Sequence, residues 1–301
     1  MMTGFLLAIF GTLLFSLKSI FIKLLYIEGL DADTVLVFRM ALALPLYVFI
    51  LISLLKKSPE KSQFIKQPIV FKILALGFLG YYLSSLLDLK GLEYISAQLE
   101  RLSLFTYPFM VALIGFFLFD EKITKRLIMS LIIGYLGLWL VMGQEEKLTN
   151  NNVLLGTSLV LGAALSFSLY VLFSKPIIKQ VGSILFTSVA MISSSLIVFI
   201  HGGLFIDLNT LEITNTAWFW LFLLAIFSTV IPSFMLTEAI GRIGPTQTGI
   251  VGTLGPIFTI ILAIYWLDEV FTSTIFIGIL MVISGVLLII LKPAENLRNS
   301  K

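Results

Sequence analysis

Of the 301 residues, 58% are hydrophobic and only 12% are charged, and the mean hydropathy is +1.06. An ordinary globular domain is nearer half apolar and a quarter charged, so this composition excludes a simple water-soluble fold and points to contact with lipid. The absence of cysteine excludes disulfides, thiol catalysis and thiolate metal sites.

Ten apolar runs approach the roughly 20 helical residues needed to cross a bilayer core of about 30 Å. The first, near 4–26, carries Lys18 and Lys23 and lacks both a basic N-terminal region and a small-residue cleavage site, so it reads as a mature helix rather than a secretory signal. The second follows the polar break "EGLDAD" and runs near 33–55; the third follows "KKSPEKSQ" and runs near 70–89. The fourth and fifth lie near 94–118 and 125–142, and "QEEKLTNNN" separates them from the sixth, near 153–174. The seventh, near 183–202, ends at the chain's one histidine, His201, whose place at a membrane edge reads as structural or interfacial. After "FIDLNTLEITNT" come runs near 217–237, 245–267 and 274–291. No alternating ten-residue pattern is present, so the chain reads as a helical bundle and not a β-barrel.

The basic residues set an expected orientation. One face carries Lys56, Lys57, Lys61, Lys66, Lys72, Lys122, Lys125, Arg126, Lys175, Lys179, Arg242, Lys292, Arg298 and Lys301, against Lys90 and Lys147 on the other. Short cytoplasmic loops retain positive charge, which places both termini in the cytoplasm. The same bias accounts for the net charge of +3 without a nucleic-acid partner.

Two stretches repeat one pattern: "YPFMVALIGFFLFDEKIT" from Tyr107 and "GPIFTIILAIYWLDEVFT" from Gly255. An offset of 148 pairs Ile95 with Ile243, Pro108 with Pro256, Asp120 with Asp268, Glu121 with Glu269, Thr124 with Thr272 and Gly137 with Gly285. "GFLLAIFGTLLFS" from Gly4 likewise matches "GTSLVLGAALSFS" from Gly156. The expected organisation is an all-α membrane protein of two five-helix repeats, 1–148 and 149–293, with a cytoplasmic tail at 294–301. Five is odd, so the second repeat enters from the opposite side and the halves are inverted, which suits alternating access. Pro108 and Pro256 are candidate bends in the fourth and ninth helices, either kinks that only shape packing or bends with a gating role. Asp120, Glu121, Asp268 and Glu269 sit where the fifth and tenth helices begin and read as capping residues. The small-residue flanks Gly249, Gly252, Gly255 and Gly4, Ala8, Gly11 read as tight helix packing.

Charges inside spans are costly and therefore functional candidates. Counted at about 1.5 Å per residue from one face, Arg39 and Glu100 lie roughly 9 Å deep and Lys18 roughly 12 Å, with Arg101 about 100° around the helix from Glu100. The aligned positions in the second half are the uncharged Tyr170, Thr248 and Gly249. The expected substrate site is therefore asymmetric: Glu100 pairs with Arg39 or Lys18, the remaining cation holds a substrate carboxylate or phosphate, and Tyr170 with polar neighbours meets the other end; the alternative is that these long side chains snorkel to the interface or form a purely structural ion pair. A carboxyl in an apolar setting resists ionisation unless a cation is beside it, so Glu100 is also the candidate for proton coupling. No nucleophile, acid/base or metal-ligand constellation is visible, so neither an enzyme nor a metal or other cofactor is expected.

Taken together, the ten-helix plan, "GLEYISAQLERLSLFTYPFMVALIGFFLFDEKIT", its copy "AIGRIGPTQTGIVGTLGPIFTIILAIYWLDEVFT" and the "FRMALALP" opening of the second span resemble the EamA family of the drug/metabolite transporter superfamily. The resemblance implies a secondary transporter in a bacterial-type inner membrane, surrounded by lipid, with a central cavity built from both halves. It also implies export of an amino acid or related amphipathic metabolite, with an organic anion or nucleotide-sugar-like solute as the alternative. Arg39 matches an arginine common in that family, whereas "SVAMISSSL" in the second half lacks it. A non-transporting receptor or scaffold is the rival from another class, and it has no need of an internal inverted repeat.

Overall fold

The computed structural model describes residues 2–65, 67–119, 124–149, 151–206 and 212–290. Ten helices are long and apolar enough to span a membrane: α1 (Met2–Ile27), α2 (Ala32–Lys57), α3 (Ile69–Leu92), α4 (Ala97–Leu118), α5 (Lys125–Leu148), α6 (Val153–Ser174), α7 (Ser183–Phe205), α8 (Asn215–Ala239), α9 (Ile250–Leu267) and α10 (Ser273–Ile290). Each corresponds to one predicted run. Several continue past the apolar stretch, as α5 does through "QEEKL", because backbone hydrogen bonding carries a helix beyond the point where lipid ends. Phe49, Phe117, Trp139, Leu204 and Tyr265 are each more than 60% exposed, an apolar outer surface suited to lipid.

Polar side chains start the helices by accepting hydrogen bonds from N–H groups that have no partner within the helix. Asp31 accepts from Thr34 N at 2.9 Å to open α2, and Thr124 accepts from Leu127 N at 3.2 Å to open α5. Asn152, Thr214 and Thr272 do the same for α6, α8 and α10. The threonines therefore cap the fifth and tenth helices, a role the sequence also offered to their acidic neighbours. Asp268 instead ends α9, with its backbone in the left-handed region at φ 51°, where Asp is tolerated better than most residues. Glu269 reaches a different helix altogether, described below. Asp120 and Glu121 lie outside the described residues.

The packing exchanges elements between halves. α1 packs on α8 and α9, α6 on α3 and α4, α2 on α7, and α5 on α10. Swapping the halves maps this set of contacts onto itself, so the molecule has an internal two-fold repeat and each half buries its first helix in the other. Between α5 and α10 the backbones touch: a Cβ at Gly137 would lie 2.6 Å from the Gly278 carbonyl oxygen, and one at Gly285 2.7 Å from the Ser130 carbonyl oxygen. In lipid, such close approach supplies the van der Waals contact that hydrophobic burial does not.

Irregular backbone obeys the same repeat. α3 widens into a π-helical segment at Phe78–Leu83, and α8 does so at Ile226–Val230, starting 148 residues later. α4 is broken between its two pieces, Ala97–Leu104 and Tyr107–Phe119. The matching break is at Thr253, between the helices Ile231–Gly252 and Leu254–Leu267. Pro108 and Pro256 each lie in the first turn after a break, where a missing N–H leaves no helical bond unmade. The connection between the eighth and ninth predicted runs, 238–244, is helical, with Arg242 Nε donating to Glu238 Oε1 at 2.8 Å in an i,i+4 pair.

Candidate functional site

Five ionisable side chains are buried where the spans of the first half meet: Lys18 on α1, Arg39 on α2, Asp88 on α3, and Glu100 and Arg101 on α4, each at most 7% exposed. Lys18 is the hub. Its Nζ donates to Asp88 Oδ2 at 2.5 Å and lies 3.7 Å from Glu100 Oε1. The adjacent Ser19 Oγ donates to Glu100 Oε2 at 2.5 Å. Taking ions out of water costs several kcal/mol each, so a five-charge cluster is a poor device for stability alone.

Arg39 and Arg101 make no ion pair among the described residues. Both lie within electrostatic reach of Asp88, yet the Nε of each has no hydrogen-bond partner. Arg101 lies over the Phe15 ring with its guanidinium carbon 5.0 Å from the ring centre, and Lys18 Nζ is 5.5 Å from the same centre. Room for Arg101 depends on Gly255, just past the Thr253 break in α9, because a Cβ there would lie 2.9 Å from Arg101 Nη2. Asp88 Oδ1 and Glu100 Oε1 are likewise buried and without a hydrogen-bond partner.

A chain of aromatic groups runs from Arg101 towards Arg39. Tyr107, within electrostatic reach of Arg101, meets Phe167 edge-on at 5.3 Å. Phe167 stacks on Tyr170 at 5.6 Å, and the Tyr170 and Tyr81 hydroxyls share a hydrogen bond of 2.9 Å. Tyr47, which lies near both Tyr81 and Arg39, hydrogen-bonds Ser233 Oγ at 3.0 Å just beyond the π-helical segment of α8. The arc thus begins at Arg101 and returns to Arg39.

Of the residues singled out in the sequence, Lys18 and Glu100 meet directly. Arg39 and Arg101 lie within electrostatic reach of Asp88, and Tyr170, on α6, meets Tyr81 and Phe167. Thr248 is buried, at 7% exposure, on the helix that leads into α9. Asp88 was missed because it sits near the end of its apolar run and reads as an interfacial residue; the signal for it was the unbalanced charge of three intramembrane cations against one carboxylate. Tyr47, Tyr81 and Tyr107 were missed because a tyrosine in a span is unremarkable by type.

A second polar cluster occupies the face where α1 ends and α4 begins. Glu145 from α5 accepts from Ser96 N and Ser96 Oγ, both at 2.6 Å. Glu269, from the connection between α9 and α10, accepts from Ala97 N at 2.6 Å and Gln98 N at 3.2 Å. Beside them is a cavity of about 430 Å³ lined by Lys23, Ser96, Gln98, Glu145 and Glu269 among others. Burial pushes the Glu269 carboxyl above the ordinary glutamate range. His201 belongs to a separate network: its Nε2 meets Asp33 Oδ1 at 3.1 Å and its Nδ1 meets the Tyr82 hydroxyl at 3.1 Å, while Lys90 donates to Asp33 Oδ2 at 2.6 Å. Among the described residues, no group of three or more His, Asp or Glu side chains is placed to hold a metal ion.

The model of the EamA-like transporter family matches this chain twice, at residues 2–143 and 154–291. The uncharacterized transporter YcbK of Bacillus subtilis (strain 168) is 28% identical over 272 residues, which cover 88% of this chain and 86% of that protein. YetK and YoaV of the same organism, also uncharacterized transporters, are 23% and 22% identical over 75% and 81% of this chain. One solved crystal structure matches 95% of this chain and 96% of its own with a TM-score of 0.68; at 12% identity that likeness shows the fold. The ten apolar helices, the twofold match and the transporter relatives identify a multi-pass secondary transporter of small molecules rather than an enzyme. The chain belongs to the EamA-like transporter family.

Proposed function

We propose that the protein exports an amino acid or a closely related amphipathic metabolite across a bacterial-type inner membrane by alternating access of its two halves, 1–148 and 149–293. The observation that carries this reading is the set of unused polar atoms in the central cluster. The Nε atoms of Arg39 and Arg101 have no hydrogen-bond partner, and neither have Asp88 Oδ1 and Glu100 Oε1. Donors for a carboxylate and acceptors for an ammonium group therefore occur in one cluster, complementary to a zwitterion. The tyrosine and phenylalanine arc suits an apolar or aromatic remainder. The lysine-rich connections and the 294–301 tail are assigned to the cytoplasm, as are both termini. Glu100, with one oxygen unused, is the group assigned to proton coupling.

The test is counterflow in proteoliposomes. Labelled neutral amino acids should exchange, and their N-acetyl and methyl-ester derivatives, which lack one charge each, should compete weakly. In the cluster three cations face two carboxylates, and that excess favours an organic anion as the second reading. Movement of N-acetylated acids and dicarboxylates in preference to zwitterions would establish the second reading and remove the first.

A further inference from the structure

The first piece of α4 is a rod of eight residues, Ala97–Leu104, about 12 Å long at the usual helical rise. Glu100 and Arg101 lie on it. Its N-terminal end is held almost entirely by side chains from elsewhere. Ser96 N donates to Glu145, Ala97 N and Gln98 N donate to Glu269, and Leu99 N donates to Ser96 Oγ at 3.1 Å. Gln98 Nε2 adds a bond of 3.4 Å to the Val270 carbonyl. The other end is a break: Phe105 and Thr106 separate the rod from the piece that opens with Tyr107 and Pro108. There Thr106 Oγ1 turns back to the Ser103 carbonyl at 2.7 Å, so the break leaves that backbone acceptor satisfied.

The two carboxylates differ in what they join. Glu145 is on α5, in the same half as the rod, whereas Glu269 belongs to the second half. Ionised carboxylates on helix N–H groups make the stronger class of hydrogen bond and add a favourable interaction with the helix dipole. The Glu269 bonds therefore form a charged tie between halves at the rim of the 430 Å³ cavity.

We propose that Glu269 is a positioning residue: its grip on the N-terminus of α4 keeps this face of the protein closed, and its release lets the Ala97–Leu104 rod swing about the Phe105–Thr106 break, carrying Glu100 and Arg101 with it. Opening of the gate and rearrangement of the central cluster become one movement of one rigid piece. The inference does not depend on which metabolite is carried.

The cysteine-free chain makes the test direct. Ile95 lines the cavity and is 1% exposed, so Ile95→Cys, alkylated by a maleimide in the full-length protein, reports opening. Glu269→Gln should raise the alkylation rate about tenfold, the effect of losing roughly one charge-assisted hydrogen bond. Glu269→Asp should give an intermediate rate. Glu145→Gln, which loosens the same helix end without touching the tie between halves, should change the rate little. Equal rates in all variants, or equal increases for Glu145→Gln and Glu269→Gln, would overturn the proposal, the latter by showing simple fraying. If Glu269→Gln does not fold, spin labels at Tyr94→Cys and Val270→Cys in the otherwise unchanged chain decide the matter. Two distance populations are expected, and a single short one would overturn it.

Discussion

Lys18 illustrates how one side chain organises a membrane interior. It pairs with Asp88 Oδ2 and lies near Glu100, and no cation replaces it, since Arg39 and Arg101 form no ion pair among the described residues. Removing one member of a buried pair leaves an uncompensated charge, which costs about 3–5 kcal/mol. Asp88→Asn should therefore lower thermal stability in detergent substantially, whereas Lys18→Met combined with Asp88→Leu should restore much of it while leaving transport impaired. Recovery of both would reduce the pair to packing. Glu269 makes a different prediction. Its carboxyl binds a proton more readily folded than unfolded, because burial disfavours its charge. Burial outweighs the bonds from Ala97 N and Gln98 N, so although those bonds hold the ionised carboxylate in place, global stability is highest below the ordinary glutamate value of 4.5 and declines as pH rises through the raised value. Glu269→Gln should accordingly flatten the fall in unfolding temperature on that alkaline side.

At the scale of elements, the repeat extends to the defects. The π-helical segments of α3 and α8, and the breaks in α4 and α9, recur at one spacing. A π-segment leaves the i→i−4 ladder locally unmade, and such segments occur often at functional sites. The break at Phe105–Thr106 precedes Pro108, so Pro108→Ala should favour a continuous α4. The expected result is unchanged or higher thermal stability with transport reduced several-fold. Equal transport would show that the break is set by packing rather than by proline. The ten spans were legible because hydrophobic length is a local signal; the prolines were visible for the same reason, but the breaks themselves fall just before them, at Phe105–Thr106 and Thr253. The π-segments were not legible: "FLGYYL" and "IFSTV" read as ordinary helix, and the partner that Tyr81 in the first of them finds, Tyr170, is 89 residues away in the chain. The target of Glu269 was hidden for the same reason. Its partners Ala97 and Gln98 are 172 and 171 residues away, a pairing that exists only once the halves interlock.

The whole molecule ties these scales together through inversion. The repeat pairs Glu269 with Glu121 at an offset of 148, and inverted halves place paired residues at opposite faces of the membrane. If the halves exchange roles between two states, a tie that favours closure at one face should have a counterpart favouring closure at the other. Glu269→Gln and Glu121→Gln should then bias the equilibrium in opposite directions. A variant that shifts a two-state balance by about 1.4 kcal/mol changes the population ratio about tenfold, enough to read by alkylation. The measurement uses two reporters in otherwise identical chains, Ile95→Cys at one face and its repeat partner Ile243→Cys at the other. Glu269→Gln should speed alkylation at position 95 and slow it at 243, and Glu121→Gln should do the reverse. Acceleration at both faces by either variant would mean that these carboxylates only stabilise the bundle, and that switching between states is controlled at the central cluster instead.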